Sequence, residues 1–297
     1  MQIIDAHLHH ATAGMLRRAR ERLPQMREQA RRAIASRGTP WEERLRTLEA
    51  VSLQEQARRW EQAFDAHGVA AGFFIAVGET NEELAEFCAL NPRRFYGWGS
   101  LWHPQAPDAG DRLARFPALG LRGLKLYPPI QRFHANDRAL YPVYEKAAEM
   151  GVPILFHFGI TIAPYYDLTY ANPLSLAAAA REFPDVTFMV AHFGAGFLRE
   201  TLFLAYHTEN ICVDTSGTNN WRLFHPGEPP LIEVFRDALR AYGAGRILFG
   251  TDSSFFGGFR DQITREQVDI LRRLDLSHED RAKILTGNAR RLFKLDA

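Results

Sequence analysis

Runs rich in Val, Ile, Phe and Leu recur along the chain, each followed by a longer stretch in which apolar residues return every three or four positions. Short runs of this kind read as buried strands and the longer stretches as amphipathic helices. The pattern predicts strands at 2–7, 69–76, 95–102, 121–127, 152–158, 186–192, 210–215 and 246–251. Helices are expected at about 52–67, 80–90, 108–118, 137–150, 173–183, 197–207, 229–242 and 261–273, with a last one at 277–286 that Ser277 and Asp280 open as a capping box. Gly120, Gly151 and Gly243 follow helices and mark return turns. Eight such alternations within 297 residues favour an α/β fold of the closed (β/α)8 TIM-barrel type over an open doubly wound sheet, with residues 1–297 forming one domain.

Residues 11–50 break the repeat. They are helical in pattern, interrupted by Pro24 and by Gly38-Thr39-Pro40, and Ala11 to Gly38 contains eight Arg against two Glu. A helical insertion after the first strand is expected, either solvated or serving as a homo-oligomer contact, with a lid that draws in anionic substrates as the sharper alternative.

Composition narrows the function classes. With 36 Lys and Arg against 35 Asp and Glu, the chain lacks the basic excess expected of a nucleic-acid or anionic-membrane binder. Cys88 and Cys212 are too few for a disulfide scaffold. Met1 leads straight into Ile3-Ile4 without a charged-then-apolar leader, and no run approaches the roughly 18 apolar residues of a membrane span. A cytoplasmic protein with a small-molecule substrate is the expectation.

In a barrel, chemistry sits at the carboxyl ends of strands, so the polar residues that terminate apolar runs are the informative ones. Strand one ends Asp5-Ala6-His7-Leu8-His9-His10; His7 and His9 share a face, about 7 Å apart along the strand. Strand five ends at His157, strand six at His192 and strand eight at Asp252. His157 to His192 is 35 residues, about one βα unit, and His192 to Asp252 is 60, about two, which sets all three at one height. Any one buried histidine is ordinarily a hydrogen-bonded core residue. Four of them with a carboxylate around one point would be costly to desolvate without a cation, and imidazole with carboxylate suits zinc first, then manganese.

These residues also resemble the amidohydrolase superfamily, and within it the amidohydrolase-related branch that includes aminocarboxymuconate-semialdehyde decarboxylase. The motifs that carry the resemblance are Ile4-Asp5-Ala6-His7-Leu8-His9, Gly123-Leu124-Lys125-Leu126-Tyr127-Pro128, Ala191-His192-Phe193-Gly194, Ile247-Leu248-Phe249-Gly250-Thr251-Asp252 and Gly287-Asn288-Ala289-Arg290-Arg291-Leu292. The resemblance implies that His7, His9, His157 and Asp252 hold one divalent ion and that His192 contacts the bound water or the substrate. Many relatives carry a histidine where Tyr127 stands, so a role for that histidine does not transfer.

A divalent ion with an open position activates water, with Asp252 as proton acceptor and His192 as orienting group. The reading from sequence is therefore a hydrolase of a small cyclic or carboxylated substrate (an amide, lactone or ester). A non-oxidative decarboxylase of an aromatic or muconate-type acid is the alternative, and a binding barrel without turnover the third class. Lys125, ending strand four, is open to three roles: a structural partner of a carboxylate, an anchor for a substrate carboxylate, or a carbamylated ligand. His103, Trp102 and Tyr127 are expected to line the substrate pocket, with Phe133, Tyr165, Tyr166, Tyr170, Trp221, Phe255 and Phe256 as further aromatic walls and Arg122 and Arg132 as further cations. Gly194-Ala195-Gly196 lacks the third glycine of a dinucleotide fingerprint, and Ser253-Ser254 lack a nucleophile elbow.

Overall fold

A computed structural model describes residues 2–14, 16–17, 41–78, 80–161, 166–255 and 258–295. Most of the expected insertion, together with Tyr165 and Phe256, lies outside the described residues. Nine strands form one parallel sheet: β1 (Ile3–His9), β2 (Val69–Ile75), β3 (Phe95–Ser100), β4 (Leu121–Leu126), β5 (Ile154–Phe156), β6 (Phe188–Val190), β7 (Ile211–Asp214), β8 (Ile247–Leu248) and β9 (Ser253–Ser254). Their order is β8-β7-β6-β5-β4-β3-β2-β1-β9, every neighbour parallel. β8 and β9 are two pieces of one eighth strand. Ala6 N donates to Phe249 O (2.9 Å) and Asp252 N to His7 O (3.0 Å), so this segment joins β7 to β1 and closes the TIM barrel.

The principal helices are α1 (Trp41–Glu49), α2 (Leu53–His67), α3 (Asn81–Ala89), α4 (Ala109–Leu113), α5 (Tyr141–Met150), α6 (Leu176–Glu182), α7 (Leu198–His207), α8 (Leu231–Tyr242), α9 (Asp261–Arg273), α10 (His278–Ala282) and α11 (Asn288–Phe293). Two depart from the sequence pattern. The helix expected at 108–118 stops at Leu113, and Pro117 opens a separate 3-10 turn. The one expected at 277–286 begins on the predicted cap, with Ser277 Oγ accepting from Asp280 N, but widens into a π turn at Lys283–Gly287 before α11.

Side chains sort into two layers. Leu8, Phe74, Leu124, Phe156, Val190 and Val213 face the helices, whereas Ile4, Ala6, Phe73, Trp98, Leu155 and Met189 fill the barrel. Phe293 of α11 stacks on Phe73 (3.8 Å between ring centres) and meets Trp98 edge-on, so the C-terminal helix plugs the amino-terminal end of the barrel. Asn288 clamps that helix by donating to Ala244 O and Ile247 O, both at 2.7 Å. With that end sealed, solvent reaches the interior from the carboxyl ends of the strands. Among the described residues no helix is long and apolar enough to cross a membrane.

His10 points away from the barrel interior, as the alternation requires. It is buried, stacked on Phe87 at 4.2 Å, with neither ring nitrogen hydrogen-bonded among the described residues. Burial pushes its pKa down to about 3. The unfolded chain takes up this proton below pH 6.5 and the folded chain does not until about 3, so His10 removes stability as pH falls through that window. His10→Leu is expected to gain stability over wild type by on the order of 2 kcal/mol more at pH 5 than at pH 8, read by urea unfolding at both. An equal difference at the two pH values would refute the assignment.

Candidate active site

β1 carries two of the expected residues into the mouth. A register shift between Asp5 and Leu8 breaks the alternation that sets Ile4 and Ala6 inward, so that Leu8 packs outward against the helices and His7 and His9 turn inward together. The eighth strand, expected over 246–251, is split into β8 and β9, and between them Asp252 adopts φ +59°, in the left-handed region. That kink aims its carboxylate across at β1, where Oδ1 lies 2.9 Å from His9 Nε2 and 3.8 Å from His7 Nε2. His7, His9 and Asp252 thus offer three ligand atoms within 4.8 Å of one another.

The sequence reading overlooked Asp214, which holds this arrangement together. It ends the apolar run Ile211-Cys212-Val213 of β7 just as the other site residues end theirs, a signal that was available. Its Oδ2 lies 2.9 Å from His7 Nδ1. A carboxylate can only accept, so the His7 proton sits on Nδ1 and Nε2 is left with a lone pair directed at the mouth. Asp214 Oδ1 accepts from His192 N (3.0 Å), Ser216 N (3.0 Å) and the Ser216 hydroxyl. Its hydrogen bonds and the neighbouring His7 hold its pKa below the ordinary value despite burial.

His192 follows β6 in a run of left-handed residues, with φ +59° at His192, +47° at Phe193 and +45° at Ala195. Such non-glycine conformations persist only where surroundings over-determine them. Here the Asp214 bond to its amide and the Ser216 carbonyl 2.8 Å from its Nδ1 do so. Gly217 belongs to the same construction: a Cβ there would lie 2.7 Å from His192 Nδ1. The His192 ring stands 4.7 Å from that of His7, and its Nε2 lies 3.1 Å from His157 Nδ1. The structure therefore unites His7, His9 and Asp252, brings His192 beside His7 in a second group with Asp214, and sets His157 against His192 outside the three-atom cluster.

Burial pushes the pKa of His7 down to about 3 and lowers those of His157 and His192, leaving neutral imidazoles with lone pairs to offer. Asp252 is held well below the usual carboxylate range by the His9 hydrogen bond and nearby histidines, against the effect of burial. The buried Nε2 of His7 has no hydrogen-bond partner among the described residues. Two imidazole nitrogens and one carboxylate oxygen converging there fit a divalent cation, with His7 braced from behind by Asp214. Asp5 ties the two strands beneath: it accepts from His7 N (3.1 Å), Thr251 N (3.1 Å) and Thr251 Oγ1 (2.6 Å), while burial pushes its own pKa up to about 7.

Lys125 is fully buried at the end of β4, its Nζ without a hydrogen-bond partner among the described residues and 5.0 Å from the centre of the Tyr127 ring. Burial pushes its pKa down to about 7, opposed by Asp214 and Asp252. The Tyr127 ring is 5.8 Å from that of His157. Gln131 joins the ends of β3 and β4: its Oε1 accepts from Tyr127 N (2.7 Å) and its Nε2 donates to Leu101 O and Trp102 O. Trp102, Tyr166, Tyr170 and Phe255 are half-buried. The other residues expected to line the pocket differ in their surroundings. His103 is exposed; Phe133 and Trp221 are in the core; Arg132 is exposed in a left-handed turn. Arg122 opens β4 and lies over Tyr96, second residue of β3, at the amino-terminal end of the barrel. A strand's two ends are chemically alike in sequence, and only position along it separates Arg122 from Lys125.

The amidohydrolase family model matches residues 4–295. Among curated proteins, the chain is 28% identical over 259 residues to a 2-keto-4-carboxy-3-hexenedioate hydratase from Sphingobium sp., covering 73% of this chain and 71% of that protein. It is 27% identical over 264 residues to a gamma-resorcylate decarboxylase from Rhizobium sp., covering 73% and 75%. In fold it matches the 5-carboxyvanillate decarboxylase of Novosphingobium aromaticivorans, crystallised with manganese and 4-hydroxy-3-methoxy-5-nitrobenzoic acid. The TM-score is 0.69 at 17% identity, over 99% of this chain and 96% of the other.

Proposed function

Because the chain belongs to the amidohydrolase family, we propose that it is a metal-dependent, non-oxidative decarboxylase of an aromatic or muconate-type carboxylic acid. The hydrolase placed first on sequence alone becomes the second reading. Decarboxylases recur among the relatives, and one observation in this chain carries the choice: Lys125. A buried ammonium beside the cluster with no hydrogen-bonded partner among the described residues is costly unless an acid joins it, and a substrate carboxylate is the acid the reaction requires.

His7, His9 and Asp252 would hold a divalent ion, which would supply an electrophile for a substrate oxygen. The chain's own groups do the rest. Lys125 receives the carboxylate beside the Tyr127 ring, and Trp102 and Tyr127 flank the flat substrate. Asp252 takes a proton from solvent and, as a strong acid, passes it to the ring carbon. The carbon–carbon bond then breaks and returns its electron pair to that carbon as carbon dioxide leaves. His192, fixed by Ser216 and Gly217, stands where it can bind a substrate oxygen. Zinc and manganese both suit the donors, and the manganese of the carboxyvanillate enzyme makes that ion the first to load. A small-molecule substrate and a reducing, cytoplasmic setting belong to the same proposal, supported by the free, buried thiols Cys88 and Cys212.

The hydrolase or hydratase reading is favoured by Asp252 itself, which stays charged and can accept a proton from water; the Sphingobium hydratase accords with it. Incubating manganese-loaded protein with 2,6-dihydroxybenzoate and with 5-carboxyvanillate should release carbon dioxide in step with acid consumed. Chelation should abolish the release and manganese restore it. Solvent oxygen appearing in a product from a cyclic ester or lactone, with no carbon dioxide from any acid, would decide for the hydrolase.

A further inference from the structure

The carboxylate-substrate reading leaves one cation of the mouth unused. Arg260 stands between β9 and α9, its side chain 30% exposed, with Nη1 3.3 Å from Asp252 Oδ2. That long contact is the guanidinium's one side-chain bond among the described residues, and a guanidinium has five donors. The residue is nevertheless firmly placed. Its amide donates to Ser253 Oγ (2.9 Å), Ser253 Oγ lies 2.6 Å from Thr251 Oγ1, and Thr251 bonds Asp5 beneath His7. The network that joins β1 to the eighth strand therefore also holds Arg260 beside the cluster.

Charge points the same way. Asp214 and Asp252 would balance one divalent ion, which His7 and His9 would bind as neutral imidazoles. Asp5 has both oxygens engaged by Thr251 and the His7 amide. With Asp252 then shared between the ion and Arg260, Lys125 inside the barrel and Arg260 at its rim have no carboxylate of their own among the described residues, and they stand on separate elements at different depths. One carboxylate balances one of them.

We propose that Arg260 is a specificity-determining residue that receives a second acidic group of the substrate, so that the preferred substrate is a diacid with one carboxylate on Lys125 and the other on Arg260. This rests on the reading of the site as one for carboxylates. Its guanidinium suits the task, since a planar fork can hold a carboxylate by two bonds while keeping Asp252 in place.

Isophthalate and benzoate, one ring with two acids or one, are the probes. Calorimetric titration of manganese-loaded wild type is expected to give isophthalate about tenfold tighter than benzoate. Arg260→Gln should erase that preference, leaving benzoate binding and manganese affinity within about threefold of wild type, and Arg260→Lys should recover part of it. Lys125→Met should weaken both acids. Equal binding of the two acids by wild type overturns the diacid inference alone. So does an equal loss of both acids, or a loss of manganese, in Arg260→Gln, since either makes Arg260 a brace for Asp252. Wild type that binds neither acid sinks the carboxylate reading as well.

Discussion

Asp252→Asn is expected to lower turnover by about three orders of magnitude, within the range spanned by losing a positioned proton-transfer group. Asparagine matches the aspartate in size and tolerates a left-handed backbone, so the kink at φ +59° and the fold should survive. What it loses is charge and the capacity to exchange a proton. Oδ1 now faces His9 Nε2 at 2.9 Å, and an amide offers there either a weaker acceptor or a donor. Steady-state assay with metal analysis on the same sample checks this, since His7 and His9 should keep more metal than is kept when either histidine is removed. Activity within about threefold of wild type would remove Asp252 from proton transfer.

Asp214 carries the second large effect, and two substitutions separate its roles. Asp214→Ala strands the Nδ1 proton of His7 and the amides of His192 and Ser216 among buried groups, at a cost of about 3–5 kcal/mol. Thermal unfolding should fall by on the order of 10 °C. Asp214→Asn keeps acceptors for the amides, so stability should be largely preserved. Its amide group, however, can present a donor to His7 Nδ1, which moves the imidazole proton to Nε2 and blocks the lone pair meant for the ion. Manganese affinity should then drop by about ten- to a hundredfold, the usual consequence of disturbing a ligand's outer partner. Calorimetric titration measures it, and wild-type affinity in Asp214→Asn would show that His7 does not depend on Asp214 for its tautomer. Acid should act in the same direction as Asp214→Ala. The Asp214 pKa is depressed, so its contribution is present above the unfolded carboxylate's value and is lost as pH falls through the folded one.

The strand and helix periods were legible in the chain because burial on one or both faces is written residue by residue, and the eightfold alternation followed from them. His7, His9 and Asp252 were legible for the same reason: each interrupts an apolar run at the height where a barrel does its chemistry. Asp214 obeys that rule too, yet a lone aspartate after Ile211-Cys212-Val213 is less distinctive in sequence than a histidine. Asp5, Ser216 and Arg260 offered no such cue, since a carboxylate, a hydroxyl and a guanidinium in these local contexts look like ordinary turn or surface groups. The period, the barrel and the kinds of donor at its mouth depend on short-range order and can be read along the chain. Which donors meet, the turn of His157 to His192 and the place of Arg122 at the far end of its strand emerge only on folding. Those outcomes depend on backbone kinks at His192 and Asp252 and on bonds between strands more than 200 residues apart in sequence, such as His7 to Asp214. Such distances in space are set by ring closure, which no local pattern encodes.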